Sequence, residues 1–156
     1  MQIVFLAQLV EDSIVKCEQY WVDDREPHQY GTVIVKLLRT TIYANFTIRA
    51  FQVSRDNTRH SSRVVVQYHF TSWPEHGAPG NPLALLEFHM RVRSKVSNSV
   101  SSEDTPLLVH CGTGVSRTGV FIALDYSLMR AKEENCVNVY RCDIFIIVYD
   151  RIVTRI

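Results

Sequence analysis

The chain has 156 residues, enough for one domain with a buried core, and a net charge of +1, which excludes the strongly basic composition typical of nucleic-acid-binding domains. Its apolar share of 46% and charged share of 21% are ordinary for a folded globular domain and exclude a disordered polar chain. The four cysteines are scattered without a CxxC pair, which indicates free thiols in a reducing compartment.

Apolar patterns in the first half of the chain predict a β-sheet. Residues Ile3 to Val10 form a short apolar run that predicts a buried strand. The β-branched segment Thr32 to Leu38 predicts a second strand, and the alternating segment Asn45 to Val53 is expected to pair with it. Arg63 to Phe70 predicts a further strong strand.

The second half of the chain predicts helices around one more strand. Thr71 to Pro82 contains three prolines and two glycines, which indicate a loop, and Asn81 with Pro82 is typical of a helix start. Leu107 to Val109 predicts a short buried strand, and an apolar face after it predicts a second helix. That face comprises Val120, Phe121, Leu124, Leu128 and Ala131. Val137 to Ile156 is apolar and is predicted to form a third helix.

This order of elements predicts an α/β fold with a mixed, highly twisted sheet flanked by helices. The loop after Val109 is expected to lie between a central strand and a helix, where open α/β sheets bind ligands. No stretch is apolar for long enough to span a bilayer, so no membrane insertion is predicted for this segment. Residues 1–156 begin and end within apolar patterns, so we expect them to be part of a larger domain.

The segment LLVHCGTGVSRTGVFIALD (Leu107–Asp125) carries the chemistry. A strand delivers Cys111, five residues follow, and Arg117 opens an amphipathic helix. Backbone N–H groups of such a loop and of the helix N-terminus make a cradle for an anion. Gly112 and Gly114 allow the backbone to approach the anion closely. The planar guanidinium of Arg117 can hold two phosphoryl oxygens at once.

The same positive field is expected to lower the pKa of the Cys111 thiol. A free cysteine titrates near ~8.5, whereas helix N-termini and adjacent cations lower this to roughly 3.5–7.5. A thiolate at neutral pH can attack phosphorus. The hydroxyl of Thr118 can donate to the sulfur, and the ring of His110 can fix the loop by hydrogen bonds. The alternative interpretation is a buried thiol beside an unrelated surface arginine.

Other cysteines and histidines give no metal pattern. No spacing among them is typical of zinc, so no metal or other cofactor is predicted. Cys17, Cys136 and Cys142 are predicted to be inert buried thiols. His69 and His89 are predicted to lie at the edge of the core.

The succession of His110, Cys111, five residues and Arg117 resembles the phosphate loop of the cysteine-dependent phosphatases. With the flanking residues it is similar to the tyrosine-specific branch, the protein-tyrosine phosphatases. Three other segments resemble that family in the same order, namely KCEQYW (Lys16–Trp21), FTIR (Phe46–Arg49) and YHFTSWPEHG (Tyr68–Gly77). The first of them resembles a segment of the receptor-type members.

The resemblance implies a role for each matching residue. Cys111 would be the nucleophile, Arg117 the phosphoryl clamp, and Thr118 the hydroxyl that assists turnover of the thiolate. Glu75, on a movable loop anchored by Trp73, would be the general acid. His110 would support the nucleophile, and the substrate phosphate would bind to the loop formed by Gly112, Thr113, Gly114, Val115, Ser116 and Arg117. Glu11 would brace the arginine, with Lys16 nearby.

The resemblance also implies substrates and location. The substrates would be proteins carrying phosphotyrosine, and a second phosphatase domain is a possible partner. The location would be the cytoplasm, and the parent could be a single-pass receptor with this domain on its inner side.

Several positions depart from the family pattern. The acid is Glu75 where aspartate is usual, Gly112 and Thr113 stand where serine and alanine are usual, and Ser116 replaces a glycine. The family's amino-terminal phosphotyrosine-recognition loop and its glutamine-bearing loop have no match, and Asp143 to Ile156 is more apolar than expected. Two alternatives therefore stay open. One is a catalytically weak regulatory domain that binds phosphotyrosine or a partner domain, and the other is a structural fragment.

Overall fold

The computed structural model describes residues 1–55, 62–96 and 107–138, which form a six-stranded sheet, a two-stranded hairpin and two helices. The strands are β1 (Gln2–Phe5), β2 (Val10–Glu11), β3 (Ile14–Val15), β4 (His28–Tyr30), β5 (Val33–Ile42), β6 (Phe46–Arg55), β7 (Arg63–Phe70) and β8 (Leu107–His110). The helices are α1 (Pro82–Val96) and α2 (Ser116–Glu134).

The sheet is mixed, as the order of elements predicts. Its strand order is β4-β5-β6-β7-β1-β8, in which β4 to β7 pair antiparallel and β1 pairs parallel with both β7 and β8. The α/β prediction of a mixed sheet flanked by helices is therefore confirmed. Among the described strands, however, β8 lies at one end of the order rather than at its centre.

Three strands match the sequence patterns closely. The strand predicted over Arg63 to Phe70 has those bounds as β7, and the segments around Val35 and Val53 pair antiparallel as expected. The second predicted strand, Thr32 to Leu38, is longer in the structure because the pairing of β5 with β6 continues past a register shift between Leu37 and Arg39.

The strand predicted over Ile3 to Val10 is wrong in extent. β1 ends at Phe5, and Val10 instead pairs with Val15 in a separate hairpin. The turn of this hairpin holds Asp12 at φ 45° and Ser13 at φ 64°, backbone angles that take the chain out of an extended course. Asp is among the residues that tolerate this left-handed region, so a short polar turn overrides the apolar run before it.

The first helix follows its sequence signals. The Asn81 side-chain oxygen accepts a hydrogen bond from the Leu83 amide at 3.0 Å, which caps the start of α1. Its apolar face packs in the core through Leu85, Phe88 and Val92, all of them buried. The core around this face includes the large buried side chains of Phe5, Phe46, Tyr68, Phe70 and Phe121.

The second helix differs in part from its predicted face. Phe121 is buried in the core, but Val120 is 48% exposed, because the neighbouring position on a helix points about 100° away. The helix ends where Asn135 adopts a left-handed conformation with φ 53°. Val137 and Asn138 are not helical, and the rest of the predicted third helix lies outside the described residues.

A charged cluster ties the two helices together. The Asp125 carboxylate accepts hydrogen bonds from His89 Nε2 at 2.7 Å and from Arg93 Nε at 2.6 Å. Burial raises the pKa of Asp125, but the hydrogen bonds and charges of His89 and Arg93 outweigh it and lower the pKa to about 2. The carboxylate is therefore ionised at neutral pH and holds α2 against α1.

Of the remaining predictions for single residues, some are confirmed, one is wrong and one lies outside the described residues. His69 and His89 are buried, as predicted. Cys17 is half-buried and Cys136 is exposed, so the prediction of a buried thiol is wrong for Cys136, which lies just beyond the end of α2. Cys142 lies outside the described residues. Within the described part of the chain, neither helix has the length and apolar character needed to cross a membrane.

Candidate active site

Cys111 stands where the sheet passes into α2. It directly follows β8, whose residues lie beside β1 in parallel register, and α2 begins at Ser116. Two glycines shape the loop between them. Gly114 has φ +78°, a conformation that disfavours other residues, and a side chain at Gly112 would meet the carbonyl oxygen of Lys16 at 3.2 Å.

The Cys111 sulfur takes the place of a helix cap. Val115 occupies the cap position of α2 and offers no side-chain hydrogen bond, so the first amides of the helix need another acceptor. The Cys111 sulfur, which is buried, accepts from the Arg117 and Thr118 amides, from the Gly114 amide, and from the Thr118 hydroxyl at 3.3 Å.

These donors decide the ionisation of the thiol. Burial raises the pKa of Cys111, but the hydrogen bonds from the Thr118 hydroxyl and from the Thr118, Gly114 and Arg117 amides outweigh it, so the pKa is lowered overall. Each of these donors favours the thiolate over the thiol, because a negatively charged sulfur is the stronger acceptor. The geometry therefore favours a thiolate at the end of a parallel strand.

Arg117 is held in one orientation by a buried carboxylate. Its two terminal nitrogens donate to Glu11 Oε1 at 2.5 Å and Oε2 at 2.9 Å. Both side chains are nearly buried, at 11% and 6% exposure. The hydrogen bond from Arg117 lowers the pKa of Glu11, burial acts in the opposite direction, and the Gln8 amide lowers it further. The result is a fixed, ionised pair whose guanidinium cannot rotate freely.

The same guanidinium also holds the Trp73–Gly77 loop over the cysteine loop. Arg117 Nη2 donates to the carbonyl oxygens of Pro74 at 3.0 Å and Glu75 at 3.1 Å. Trp73 is buried beside the guanidinium, and Arg117 Cζ lies 6.0 Å from the centre of the Trp73 ring. The indole N–H of Trp73 donates to the Gly77 carbonyl at 3.1 Å. The loop is therefore closed on itself by Trp73 and joined to the site by Arg117.

This loop places the Glu75 carboxylate in the site. Glu75 Oε1 lies 3.1 Å from Lys16 Nζ, and its other oxygen is buried without a hydrogen-bond partner among the described residues. A cavity of roughly 160 Å³ opens between these groups and the sulfur. It is lined by Ala7, Glu11, Lys16, Glu75, Cys111, Gly112, Thr113, Ser116 and Arg117.

The structure thus brings together most of the residues that the sequence singles out. Thr118 lies behind the sulfur and Trp73 beneath its loop, while Val115 is exposed outside the cavity wall. His110 also lies outside the wall, where its ring stacks on Phe5 at 4.5 Å between centroids. A larger cavity of about 820 Å³ lies between α1 and α2 and contains none of the predicted site residues.

Sequence reasoning missed the polar residues behind His110. Tyr20 Oη lies 2.7 Å from His110 Nε2, and Gln67 donates to the same hydroxyl oxygen at 3.0 Å. Gln67 in turn pairs with Arg49 across β6 and β7. Each strand carries a polar residue among apolar ones, but the register that sets Arg49 opposite Gln67 could not be predicted from local patterns.

One group among the described residues could offer ligands to a metal. Side-chain atoms of Asp12, Glu75 and His76 lie within 4.8 Å of one another at the rim of the cavity. Asp12 and His76 are exposed, and exposed acidic groups commonly cluster without an ion.

Comparisons of the sequence with a family model and with curated proteins identify the same family. The family model of the protein-tyrosine phosphatases matches residues 1–146. The chain is 42% identical over 138 residues to receptor-type tyrosine-protein phosphatase eta of Gallus gallus, covering 88% of this chain and 10% of that protein. It is 39% identical over 142 residues to receptor-type tyrosine-protein phosphatase U of Gallus gallus, covering 90% and 9%.

The human receptor-type tyrosine-protein phosphatase eta is similar over a comparable stretch. It is 38% identical over 148 residues, which cover 95% of this chain and 10% of that protein. The chain therefore spans about a tenth of the length of the curated relatives it matches.

Proposed function

Because this chain belongs to the protein-tyrosine phosphatase family, we propose that its site hydrolyses phosphotyrosine in proteins through a phosphocysteine intermediate. The observation that carries the proposal is the Cys111 sulfur, a buried thiol of lowered pKa that lines a cavity together with Arg117 and Glu75. A stabilised thiolate facing a clamp for oxyanions and a carboxyl group is the equipment that this reaction needs.

The first step transfers the phosphoryl group to sulfur. The Cys111 thiolate attacks phosphorus in line, an S–P bond forms, and the bond between phosphorus and the tyrosyl oxygen breaks. Glu75, protonated, gives its proton to the departing phenolate. The loop amides between Gly112 and Ser116 and the Arg117 guanidinium donate hydrogen bonds to the equatorial oxygens and stabilise their negative charge, which is the main electrostatic contribution.

The second step releases phosphate. The Glu75 carboxylate, now deprotonated, takes a proton from a water molecule, whose oxygen attacks phosphorus. The S–P bond breaks and its electron pair returns to the Cys111 sulfur. The Thr118 hydroxyl, 3.3 Å from that sulfur, stabilises the departing thiolate by a hydrogen bond, and the enzyme returns to its starting state.

The experiment that tests this function follows the phosphorus atom. The purified chain is mixed with a ³²P-phosphotyrosyl peptide, quenched within milliseconds and digested. We expect steady release of phosphate together with label on the peptide that contains Cys111. Steady turnover with no label on any cysteine in the quenched samples would contradict the phosphocysteine route.

A second candidate function is that of a regulatory domain with weak activity. The observation that favours it is the glutamate at position 75, where the family pattern has aspartate. Such a domain would capture phosphotyrosyl proteins, or a second phosphatase domain, without efficient turnover. Titration of a phosphotyrosyl peptide distinguishes the two functions. Binding with turnover no faster than that of a Cys111→Ser variant supports the regulatory role, and rapid turnover supports the enzyme.

The length of the acid side chain gives a separate prediction. Glutamate carries one methylene more than aspartate, which shifts its proton by roughly an ångström, and a misplacement of that size can cost on the order of 10²-fold in rate. We therefore expect Glu75→Asp to raise kcat, by up to about tenfold, with little change in KM. An exposed glutamate on α2, Glu133→Asp, is the matched control. An equal or lower kcat for Glu75→Asp would refute the misplaced-acid explanation.

Location and parentage follow as part of the same proposal. Several relatives are named receptor-type phosphatases, and the free thiols of this chain suit a reducing compartment. We propose that the domain acts in the cytoplasm, as the inner part of a receptor-type protein, on proteins that carry phosphotyrosine.

A further inference from the structure

A line of hydrogen bonds runs from strands β6 and β7 to the catalytic loop. Arg49 Nη1 donates to Gln67 Oε1 at 3.0 Å, and Gln67 Nε2 donates to Tyr20 Oη at 3.0 Å. Tyr20 Oη lies 2.7 Å from His110 Nε2, and His110 Nδ1 lies 3.2 Å from the Cys111 carbonyl oxygen. These four side chains, Arg49, Gln67, Tyr20 and His110, are called the His110 relay below.

The chemistry of its two ends fixes the direction of every bond in the relay. At one end, a guanidinium can only donate, so the Gln67 oxygen faces Arg49 and the Gln67 NH₂ group faces Tyr20. At the other end, the Cys111 carbonyl can only accept, so His110 must carry a proton on Nδ1. Tyr20 accepts from Gln67 and is left with its single proton to donate, which matches an unprotonated His110 Nε2.

We propose that Tyr20 is a positioning residue for the hydrolysis: by donating to Nε2 it holds His110 as the neutral Nδ1–H tautomer that binds the Cys111 carbonyl, while Gln67 and Arg49 fix the direction of that donation. The inference rests on the proposed function for its kinetic consequence, but the tautomer itself is independent of turnover.

Holding the Cys111 carbonyl has a consequence for the anion cradle. In a trans peptide the C=O and the following N–H point in opposite directions, so fixing the Cys111 carbonyl toward His110 also fixes the direction of the Gly112 N–H. Gly112 lines the cavity beside the sulfur. The relay therefore sets one backbone donor of the phosphate loop without touching substrate.

The surroundings of His110 favour its neutral form. Burial lowers the pKa of His110, although its hydrogen bond to the Cys111 carbonyl acts in the opposite direction. Tyr20 and Cys111 are the titratable groups in contact with it, and His69 lies beyond the Phe5 ring, which stacks on both imidazoles. Burial lowers the pKa of His69 to about 4, so that ring is also neutral at pH 7.

Two substitutions test the direction of the relay. Tyr20→Phe removes the donor to Nε2 and leaves the ring stacking in place. Gln67→Glu offers only acceptors, so the Tyr20 hydroxyl turns to donate to residue 67, and His110 must then donate from Nε2. Gln52→Glu, on the exposed side of β6, is the matched control for the added charge, and the exposed Tyr30→Phe is the control for the lost hydroxyl.

The direct measurement is the protonation of each His110 ring nitrogen by ¹⁵N NMR at pH 7. We expect a protonated Nδ1 and a bare Nε2 in the unsubstituted chain and in both controls. In Gln67→Glu we expect Nε2 to be protonated, and in Tyr20→Phe a mixture of tautomers. An unchanged pattern in both relay variants would overturn the inference.

Kinetics supply the second readout. We expect kcat for a phosphotyrosyl peptide to fall on the order of 10-fold in Tyr20→Phe and Gln67→Glu, with a smaller change in KM, a loss comparable with that caused by removing a group that orients a metal ligand. Changed tautomers with unaltered kcat would likewise overturn the positioning role. If the unsubstituted chain has the expected tautomer but no turnover, the proposed function fails instead.

Discussion

Replacing Cys111 with serine is expected to lower kcat for phosphotyrosyl peptides on the order of 10⁴-fold or more, while the peptide still binds. A serine hydroxyl stays protonated at neutral pH even beside the donors that stabilise the thiolate, so the nucleophile is lost and the cradle remains. The Thr118, Gly114 and Arg117 donors then bind a neutral oxygen instead of an ionised sulfur. The measurement is steady-state turnover alongside titration of a fluorescent peptide.

The matched control is Cys136→Ser, at an exposed thiol beyond α2. We expect this variant to keep the kcat of the unsubstituted chain. Alkylation by iodoacetamide across pH supplies the independent evidence, because Cys111, with its lowered pKa, should reach its maximal rate at lower pH than free cysteine in solution. Full activity in Cys111→Ser, or an alkylation profile of Cys111 that matches that of free cysteine, would contradict a thiolate mechanism.

The segments that the sequence predicts best are those whose local signals agree with each other. Arg63 to Phe70 combines β-branched residues with polar turns at its ends, and its strand has the expected bounds. Asn81 followed by Pro82 marks the start of α1, because the amide acceptor and the fixed φ act within one turn. Such features depend on neighbours in the chain and are therefore readable without a structure.

The parts that escape prediction depend on contacts between distant segments. The bidentate pair of Glu11 and Arg117 joins residues 106 positions apart, and the sequence supports it only through the family resemblance. The His110 relay needs the register that sets Arg49 opposite Gln67, which no local pattern supplies. The cysteine loop itself was predictable because its strand, glycines, arginine and helix are contiguous.

The second large effect concerns the shape of the cation rather than its charge. We expect Arg117→Lys to lower kcat by roughly 10²- to 10³-fold, comparable with the loss of a transition-state donor. An ammonium cannot make two parallel bonds to Glu11 and also reach the carbonyls of Pro74 and Glu75, so the clamp and the acid-bearing loop are both released. Steady-state kinetics with an aryl phosphate measures the change.

Measurements of unfolding free energy distinguish a loss of catalysis in Arg117→Lys from a loss of the folded state. A lysine keeps a positive charge beside the nearly buried Glu11, whereas Arg117→Ala leaves that carboxylate unpaired, a change that typically costs about 3–5 kcal/mol. We therefore expect urea unfolding to show a much smaller loss for Arg117→Lys than for Arg117→Ala. Arg130→Lys is the control, because Arg130 pairs with Glu134 one turn further along α2. This variant should leave both kcat and stability unchanged.

A double-mutant cycle completes the test, since we propose that Glu11 acts on the reaction by orienting Arg117. Glu11→Gln alone should lower kcat, since the amide holds the guanidinium less firmly than a carboxylate. Once Arg117 is lysine, the fork that Glu11 orients is gone, so Glu11→Gln should cost little more. Strictly additive losses would mean that Glu11 contributes to the rate by some route other than the guanidinium, and near-normal kcat in Arg117→Lys would mean that charge alone suffices at this position.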